Sequence, residues 1–169
     1  MGNVIGQADR QSEPLPHYLT TQPPHPFMRI LLWLRNDLRL HDHEPLHRAL
    51  EQKADVIPVY CLDPRQFGET PFGFPKTGAY RVQFLLESLA DLRQSLQAKG
   101  SDLVIRKGKP EDEIPQIAAA LKVDAVYWHE EVTSEELAVD RAVEKALAAQ
   151  KISYEVYWGA TLYHPDDLP

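Results

Sequence analysis

Residues 29–39 of this chain read RILLWLRNDLR. The change from apolar to charged residues after Leu34 is the first indication of the fold. Arg29 is followed by five apolar residues, Ile30 to Leu34, and then by a segment in which three of five residues are charged. A short, continuously apolar run is typical of a β-strand that is buried on both faces of a parallel sheet. The stretch therefore predicts a central strand over residues 29–34 that ends in a polar loop.

Four further apolar runs follow, and amphipathic segments with helical spacing separate them. The runs cover residues 56–62, 103–105, 125–128 and 152–158, and the helical segments cover residues 43–53, 78–99, 110–121 and 133–150. Strands that alternate with helices predict an α/β fold, in which a five-stranded parallel sheet carries helices on both faces. Pro58 removes a backbone donor from the second run, so this strand is expected to carry a bulge or to lie partly unpaired.

Two helices have local features that the sequence predicts. Asp42 precedes the first helical segment and is the expected N-cap, because a carboxylate can accept a hydrogen bond from the first turn. The longest helix, 78–99, is expected to bury one apolar face and to end at Gly100. That face consists of Phe84, Leu85, Leu89, Leu92 and Leu96.

The two ends of the chain differ in composition from its centre. Residues 1–27 contain five of the 14 prolines and no periodic apolar pattern, which predicts a disordered, proline-rich extension. Residues 28–160 are the expected folded domain, and residues 161–169 have the composition of a linker. There is no signal peptide, and no apolar run approaches the 18 or so residues that a membrane span needs. A cytoplasmic location is therefore expected.

Composition excludes several classes of protein. Hydrophobic residues at 43% and charged residues at 25% are values of a globular domain. Eighteen basic against 25 acidic residues give a net charge of −7, whereas nucleic-acid binding depends on lysine and arginine neutralising phosphates. Direct DNA binding by this chain alone is not expected. Cys61 is the only cysteine, which excludes a disulfide framework and a cysteine-based zinc site.

Familiar nucleotide and metal motifs are not matched. No GxGxxG follows the first strand, and two residues separate Gly73 from Lys76, whereas a P-loop lysine directly follows its glycine. His41, Asp42 and His43 are of ligand type, but adjacent residues at the start of a helix point in different directions. Helix capping and solvated charge are the favoured interpretation of this cluster, and no metal site is expected.

The topology directs attention to the loops that follow the strands. Ligands of such sheets bind at the carboxyl ends of the strands, where the strand order reverses. Arg35, Asp37 and Arg39 follow the first strand and could recognise an anion, dock another domain or simply fix the loop as an ion pair. These alternatives stay open on sequence alone. His129, with the two glutamates after it, is interpreted as a polar strand end facing water.

The sequence Thr133-Ser-Glu135-Glu136 opens the last helix. Thr133 as N-cap and Glu136 three residues later match a capping box. The same glutamates lie beside the predicted switch region, where a carboxylate could accept hydrogen bonds from a ligand. On the residues alone the capping role is favoured.

Several colinear segments resemble DNA photolyases and cryptochromes. They are WLRNDLRLHD (33–42), YCLDPRQF (60–67), FGFPKTG (72–78), EVTSEE (131–136) and WGATLYHPDDLP (158–169). The FGFPKTG loop and the TLYH sequence at 161–164 are similar to the cryptochrome DASH branch. The resemblance covers residues 28–169 and implies the Rossmann-like α/β domain with which this family begins. In the family, a helical domain follows that binds FAD, and the whole protein repairs pyrimidine dimers with light or senses blue light.

The resemblance also implies what this chain holds and what it lacks. The chain is expected to stop in the interdomain linker, so the FAD domain is absent, no catalytic residue is assigned and the chain alone is expected to be inactive as a lyase. In several branches a folate, methenyltetrahydrofolate, lies between the two domains as an antenna, and a glutamate of the fourth helix binds its pterin ring. The motif match places that glutamate at Glu136, with Glu135 one residue out of register.

The resemblance therefore predicts an antenna-binding domain, or one that docks to an FAD-binding helical domain on the same or a separate chain. A stand-alone Rossmann-like module that binds a nucleotide or pterin, and an inactive truncated remnant, are the alternatives.

Overall fold

Five parallel strands form one sheet in the computed structural model, which describes residues 27–159. Along the chain the elements are β1 (Arg29–Leu34), α1 (Glu44–Glu51), β2 (Asp55–Leu62), a 3-10 turn (Pro64–Gln66), α2 (Ala79–Gln97), β3 (Val104–Lys107), α3 (Pro110–Leu121), β4 (Ala125–His129), α4 (Ser134–Ala149) and β5 (Ser153–Tyr157). Each predicted strand and helix begins and ends within two residues of these bounds. The α/β prediction is confirmed. The predicted extension and linker lie almost entirely outside the described residues.

The helices cover both faces of the sheet, as predicted. Side chains alternate between the two faces of a strand, so β1 supplies Leu31 and Trp33 to one layer and Ile30, Leu32 and Leu34 to the other. The first layer packs against α3 and α4, and the second against α1 and α2. All five of these side chains are at most 2% exposed, which is why β1 reads as a continuous apolar run.

Pro58 lies in β2 without a bulge. It pairs with Leu32 of β1 in an uninterrupted register, whereas β3 pairs with β2 only from Val59 onwards. The second strand therefore has a single neighbour at Pro58, and the missing backbone donor is tolerated at this half-unpaired position. Of the two predicted outcomes, partial lack of pairing is the one found.

The N-cap of α1 is His43, and the prediction of Asp42 is wrong. His43 has the extended backbone that an N-cap requires, with φ at −130°, and its Nδ1 accepts a hydrogen bond of 3.2 Å from the Leu46 amide. Asp42 has φ at +50° and belongs to the left-handed turn that precedes the cap. An imidazole can replace a carboxylate here because its unprotonated nitrogen is also an acceptor.

The apolar face of α2 is shorter than predicted. Leu89, Leu92 and Leu96 are buried, but Phe84 is 71% exposed. All buried residues of this helix lie in its second half, and Leu85 is only partly buried against the same core layer, while Phe84 beside it faces solvent. Periodicity alone predicts which residues share a face but not where the packing partner ends.

The order of the strands is β3-β2-β1-β4-β5, so the direction of winding reverses between β1 and β4. The loops that leave these two strands diverge at the carboxyl edge of the sheet and open a crevice there. Among residues 27–159, no helix is long and apolar enough to cross a bilayer.

Candidate functional site

A groove lies at the reversal point, on the carboxyl edge of the sheet. Its inner part is a cavity of about 380 Å³ between the ends of β1 and β2, the loop 63–77 and the start of α4. An outer part of about 620 Å³ continues towards α2, where Arg81 and Phe84 line it. Both parts share Arg35, Asn36, Tyr60, Gln66, Lys76, Glu135 and Glu136. We call this space the switch-point groove.

Arg35 is buried at the base of the groove, and its partners come from α4. Its Nη1 donates to the Asp140 carboxylate and its Nη2 to the Glu136 carboxylate. The guanidinium also lies over the Trp33 ring, 4.6 Å from the ring centroid. The face of an aromatic ring carries negative charge density, which attracts the guanidinium cation. Of the alternatives left open by the sequence, an internal ion pair describes what Arg35 forms. This ion pair joins the loop after β1 to α4, whereas the sequence analysis considered only one that fixes its own loop.

Asp140 is the functional-site residue that sequence reasoning missed. Its side chain is 2% exposed, and burial raises its pKa to about 6, although the nearby Arg35 guanidinium favours the ionised form. A signal was present: Glu136, Asp140, Val143 and Leu147 follow helical spacing, so a carboxylate occupies the apolar stripe of α4. A buried carboxylate requires a cationic partner. The helical spacing identifies the carboxylate, but it does not identify which lysine or arginine is the partner.

The start of α4 uses half of the predicted capping box. Thr133 Oγ1 accepts a hydrogen bond of 3.3 Å from the Glu136 amide, as predicted. The reciprocal contact is replaced, because the Glu136 carboxylate turns to Arg35 and keeps about a quarter of its surface exposed in the groove. Glu135 pairs with Lys76 and thereby ties the loop 63–77 to α4. Both sequence-predicted glutamates therefore line the groove.

Asp37 forms a second cluster with two histidines beside the groove. Its Oδ2 lies 2.8 Å from His43 Nε2 and 2.7 Å from His129 Nδ1, and its Oδ1 accepts from the Arg35 amide at 2.8 Å. His43 Nδ1 accepts the Leu46 amide, which leaves Nε2 facing Asp37 Oδ2 at a distance that suits an ion pair but in a direction that makes no hydrogen bond. Burial opposes the charge, but the hydrogen bond from His129, the close approach of His43 and the bond from the Arg35 amide hold the pKa of Asp37 well below its usual range.

This cluster corrects two predictions. His129 is buried and bonded to Asp37, so it is not a strand end facing water. His43 caps a helix, as the favoured interpretation held, but it is buried and not solvated. The ligand atoms of Asp37, His43 and His129 lie within 4.8 Å of one another, which is close enough to hold a metal ion. Of the two histidines, His129 is hydrogen-bonded to the Asp37 carboxylate, whereas His43 Nε2 lies at ion-pair distance from the same oxygen without a hydrogen bond.

The other polar groups of the inner groove favour binding over covalent chemistry. Burial raises the pKa of Tyr60 to about 12 and raises the pKa of the Cys61 thiol well above its usual range. Both side chains therefore stay neutral at physiological pH, and Cys61 is not activated as a nucleophile. Tyr60 contributes a neutral hydroxyl and an aromatic surface to the groove. The site can hold a flat, polar ligand between an aromatic wall and carboxylates.

Comparison with known proteins identifies similar chains. A sequence profile described as DNA photolyase matches residues 30–169. The chain is 57% identical over 140 residues to a cryptochrome DASH of Gloeobacter violaceus, covering 83% of this chain and 28% of that protein. It is 51% identical over 142 residues to a cryptochrome DASH of Xenopus laevis, covering 83% of this chain and 27% of that protein. The chain thus spans less than a third of these relatives.

Solved structures agree with this similarity. The cryptochrome of Synechocystis sp. matches with a TM-score of 0.81 and 51% identity, over 86% of this chain and 30% of that one. The photolyase of the archaeon Sulfolobus tokodaii, solved with two FAD molecules, matches with a TM-score of 0.75 and 30% identity, over 84% and 32% of the two chains.

Proposed function

The chain belongs to the DNA photolyase family, and on that basis we propose that it serves as the antenna-binding domain of a protein like cryptochrome DASH. It corresponds to the N-terminal α/β domain of that family. The ligand that we propose is a folate, methenyltetrahydrofolate, and the switch-point groove is its proposed site. Residues 28–160 form this domain in the proposal, and residues 161–169 begin the linker.

The carboxylate of Glu136 at the mouth of the groove is the observation that carries the proposal. One edge of a pterin ring presents an amino group next to a ring N–H, and a carboxylate can accept both as a pair. Arg35 holds Glu136 Oε2 from behind, so the carboxylate is oriented before a ligand arrives. Orienting a binding group in advance reduces the entropy lost on association. Glu135, which is paired with Lys76, is a secondary candidate.

The residues present fit a folate better than a flavin. The second FAD of the Sulfolobus tokodaii photolyase, whose structural study implies a novel light-harvesting cofactor, makes a flavin the natural competitor. A flavin ring offers one N–H flanked by two carbonyl oxygens, and these repel a carboxylate on either side. A pterin offers adjacent donors without that repulsion. Glu136 therefore favours the pterin.

A bound folate would supply light absorption and energy transfer to a flavin. This chain's own part is to bind and orient the ring. Light-driven repair of pyrimidine dimers, or blue-light sensing, is proposed only for the longer assembly that includes an FAD-binding helical domain. That domain holds the FAD of the family.

Exposed aromatic side chains on the loop 63–77 and on α2, two elements that contribute to the groove lining, support docking of such a helical partner. Phe72, Tyr80 and Phe84 are 83%, 90% and 71% exposed. Neighbouring exposed apolar side chains mark interaction surfaces more often than scattered ones do. The groove is open on this side, so a partner would complete its wall. These features do not favour a stand-alone binding module or an inactive remnant.

Fluorescence titration of the purified 169-residue chain with methenyltetrahydrofolate tests the proposal. We expect saturable binding, and we expect Glu136→Gln to weaken it by about tenfold or more, because charge-assisted hydrogen bonds are lost. Glu135→Gln tests the secondary candidate and should change the affinity by less than about threefold. Glu144→Gln, on the same helix but outside the groove, is the matched control and should leave the affinity unchanged. Absence of folate binding at millimolar ligand, or a preference for FAD, would overturn the proposal.

A further inference from the structure

Arg35 lies between two carboxylates and can neutralise only one of them. Its Nη1 contacts Asp140 and its Nη2 contacts Glu136. The Arg35 and Asp140 side chains are 6% and 2% exposed, whereas Glu136 is 25% exposed. Arg35 and Asp140 thus form a buried ion pair whose two charges cancel. Glu136 is the member of the triad that faces the groove, and the three charges sum to −1.

The remaining charged groups of the inner groove do not cancel this charge. Lys76 is paired with Glu135, and Arg65 contacts both Asp63 and Glu111. Each of these sets is neutral or negative in sum. Arg81 lines only the outer part of the groove and is solvent-exposed, so water screens its charge from the inner part.

Resting on the proposed function, we propose that Asp140 is a specificity-determining positioning residue. By neutralising Arg35, it leaves Glu136 with its negative charge, so the switch-point groove selects a cationic heteroaromatic ring over a neutral ring of the same shape. Asp140 does not touch the ligand in this proposal. It acts through Arg35 alone.

Removal of the Asp140 charge is expected to change the net charge that the groove presents to a ligand. With asparagine at position 140, Arg35 keeps Glu136 as its only ionised partner, and the triad sums to zero. The guanidinium then cancels the field that Glu136 projects into the groove. Hydrogen-bond acceptance by Glu136 persists, so a neutral ring loses little, whereas a cationic ring loses its electrostatic attraction.

Two folates separate these contributions. In 5,10-methenyltetrahydrofolate, the bridge between N5 and N10 is an amidinium cation, whereas the ring system of 5-formyltetrahydrofolate is neutral. Both have the same pterin edge and the same anionic tail. Their affinity ratio therefore reports the charge of the site and is insensitive to the shared contacts.

The experiment measures the affinity of the 169-residue chain for both folates by equilibrium titration. We expect the wild type to bind the methenyl form more tightly, and we expect Asp140→Asn to reduce this preference by about three- to tenfold while affinity for the formyl form changes less than about twofold. Glu144→Gln removes a charge from the same helix outside the groove and should leave the ratio unchanged. An unchanged ratio in Asp140→Asn overturns the inference.

The wild-type ratio is a second measurement that needs no folded variant. Equal affinity for the two folates in the wild type overturns the role of charge and leaves the proposed function standing. A wild type that binds neither folate overturns both. Equal weakening of both folates by Asp140→Asn would assign Asp140 a purely structural role and also overturns the inference.

Discussion

His129 Nδ1 lies 2.7 Å from Asp37 Oδ2, although 92 positions separate the two residues in the chain. His43 Nε2 approaches the same oxygen at 2.8 Å, so one carboxylate joins the loop after β1, the start of α1 and the end of β4. Because the pKa of Asp37 is held well below its ordinary 3.8, the folded state favours the ionised form more than the unfolded state does.

This relationship predicts how stability depends on pH. A depressed pKa contributes stability that is fully present above the unfolded value, near 3.8, and is lost as the pH falls below it. We expect urea unfolding to show a wild-type advantage over Asp37→Asn that is largest near neutral pH and shrinks below about pH 4. Asp42→Asn, at a fully solvated carboxylate of the same loop, should show no such trend. A constant advantage for the wild type from neutral to acid pH would contradict the prediction.

Gly159 allows the chain to pass close to the His129 ring. A Cβ atom at position 159 would lie 2.9 Å from both Cδ2 and Nε2 of His129. The ring is buried and bonded to Asp37, so it cannot move without loss of that bond. We expect Gly159→Ala to reduce the free energy of unfolding by about 1–3 kcal/mol. Gly68→Ala, where a Cβ would meet nothing within 4 Å, should be close to neutral in the same urea titration.

Arg35 is predicted to matter more for stability than any exposed arginine. Arg35→Leu leaves Asp140 buried without a cation and should cost about 3–5 kcal/mol. Adding Asp140→Leu to this variant should recover much of the loss, because the uncompensated charge is removed as well. Arg93→Gln breaks an exposed pair with Asp102 and should cost less than about 1 kcal/mol. A double variant that is no more stable than Arg35→Leu would show that the buried charge is not the cause.

Phe84 is predicted to contribute to docking and not to folding. Phe84→Gln should leave the thermal midpoint nearly unchanged, because the side chain is 71% exposed. In the proposed function, the same change should weaken association with the separately produced remainder of the Synechocystis cryptochrome, of which this chain covers 30%. Leu89 on the same helix is buried, so Leu89→Ala is a control that affects folding. We expect this substitution to destabilise the fold by about 2–5 kcal/mol. Unaltered association of Phe84→Gln would exclude this surface from docking.

The elements of the fold could be predicted from sequence because β1 to β5 differ from the helices in the period of their apolar residues. Leu89, Leu92 and Leu96 were predicted correctly for the same reason. Phe84 was not, since the spacing of a helix does not record how far the neighbouring sheet extends. The His43 cap was missed because aspartate is the commoner capping residue, although imidazole accepts the same bond.

The candidate site could be predicted only in part. Arg35 and Asp37 were singled out because charge that follows a buried strand, at the reversal point of the sheet, is informative. Glu135 and Glu136 were assigned to the site by the resemblance to the photolyase family, whereas the residues alone favoured a helix cap. The partners of Arg35 were not predicted, because Asp140 lies 105 positions away and nothing in the sequence pairs it with one arginine and not another. His129 was assigned to water for the same reason. Its partner is decided by tertiary packing.

The bonds of residues 35–37 have a consequence for the order in which the protein folds. Three consecutive residues, Arg35, Asn36 and Asp37, each bond a residue between 92 and 105 positions further along the chain. Contacts of such separation form late, and during synthesis they cannot form until β4, the loop after it and then the first turns of α4 have left the ribosome. At roughly 5–20 residues per second, β1 and its charged loop wait about 5–20 s for their partners. Throughout that time, the five apolar residues of β1 lack the strand that pairs with one of its edges, so this interval is when the nascent chain is most exposed to misassociation.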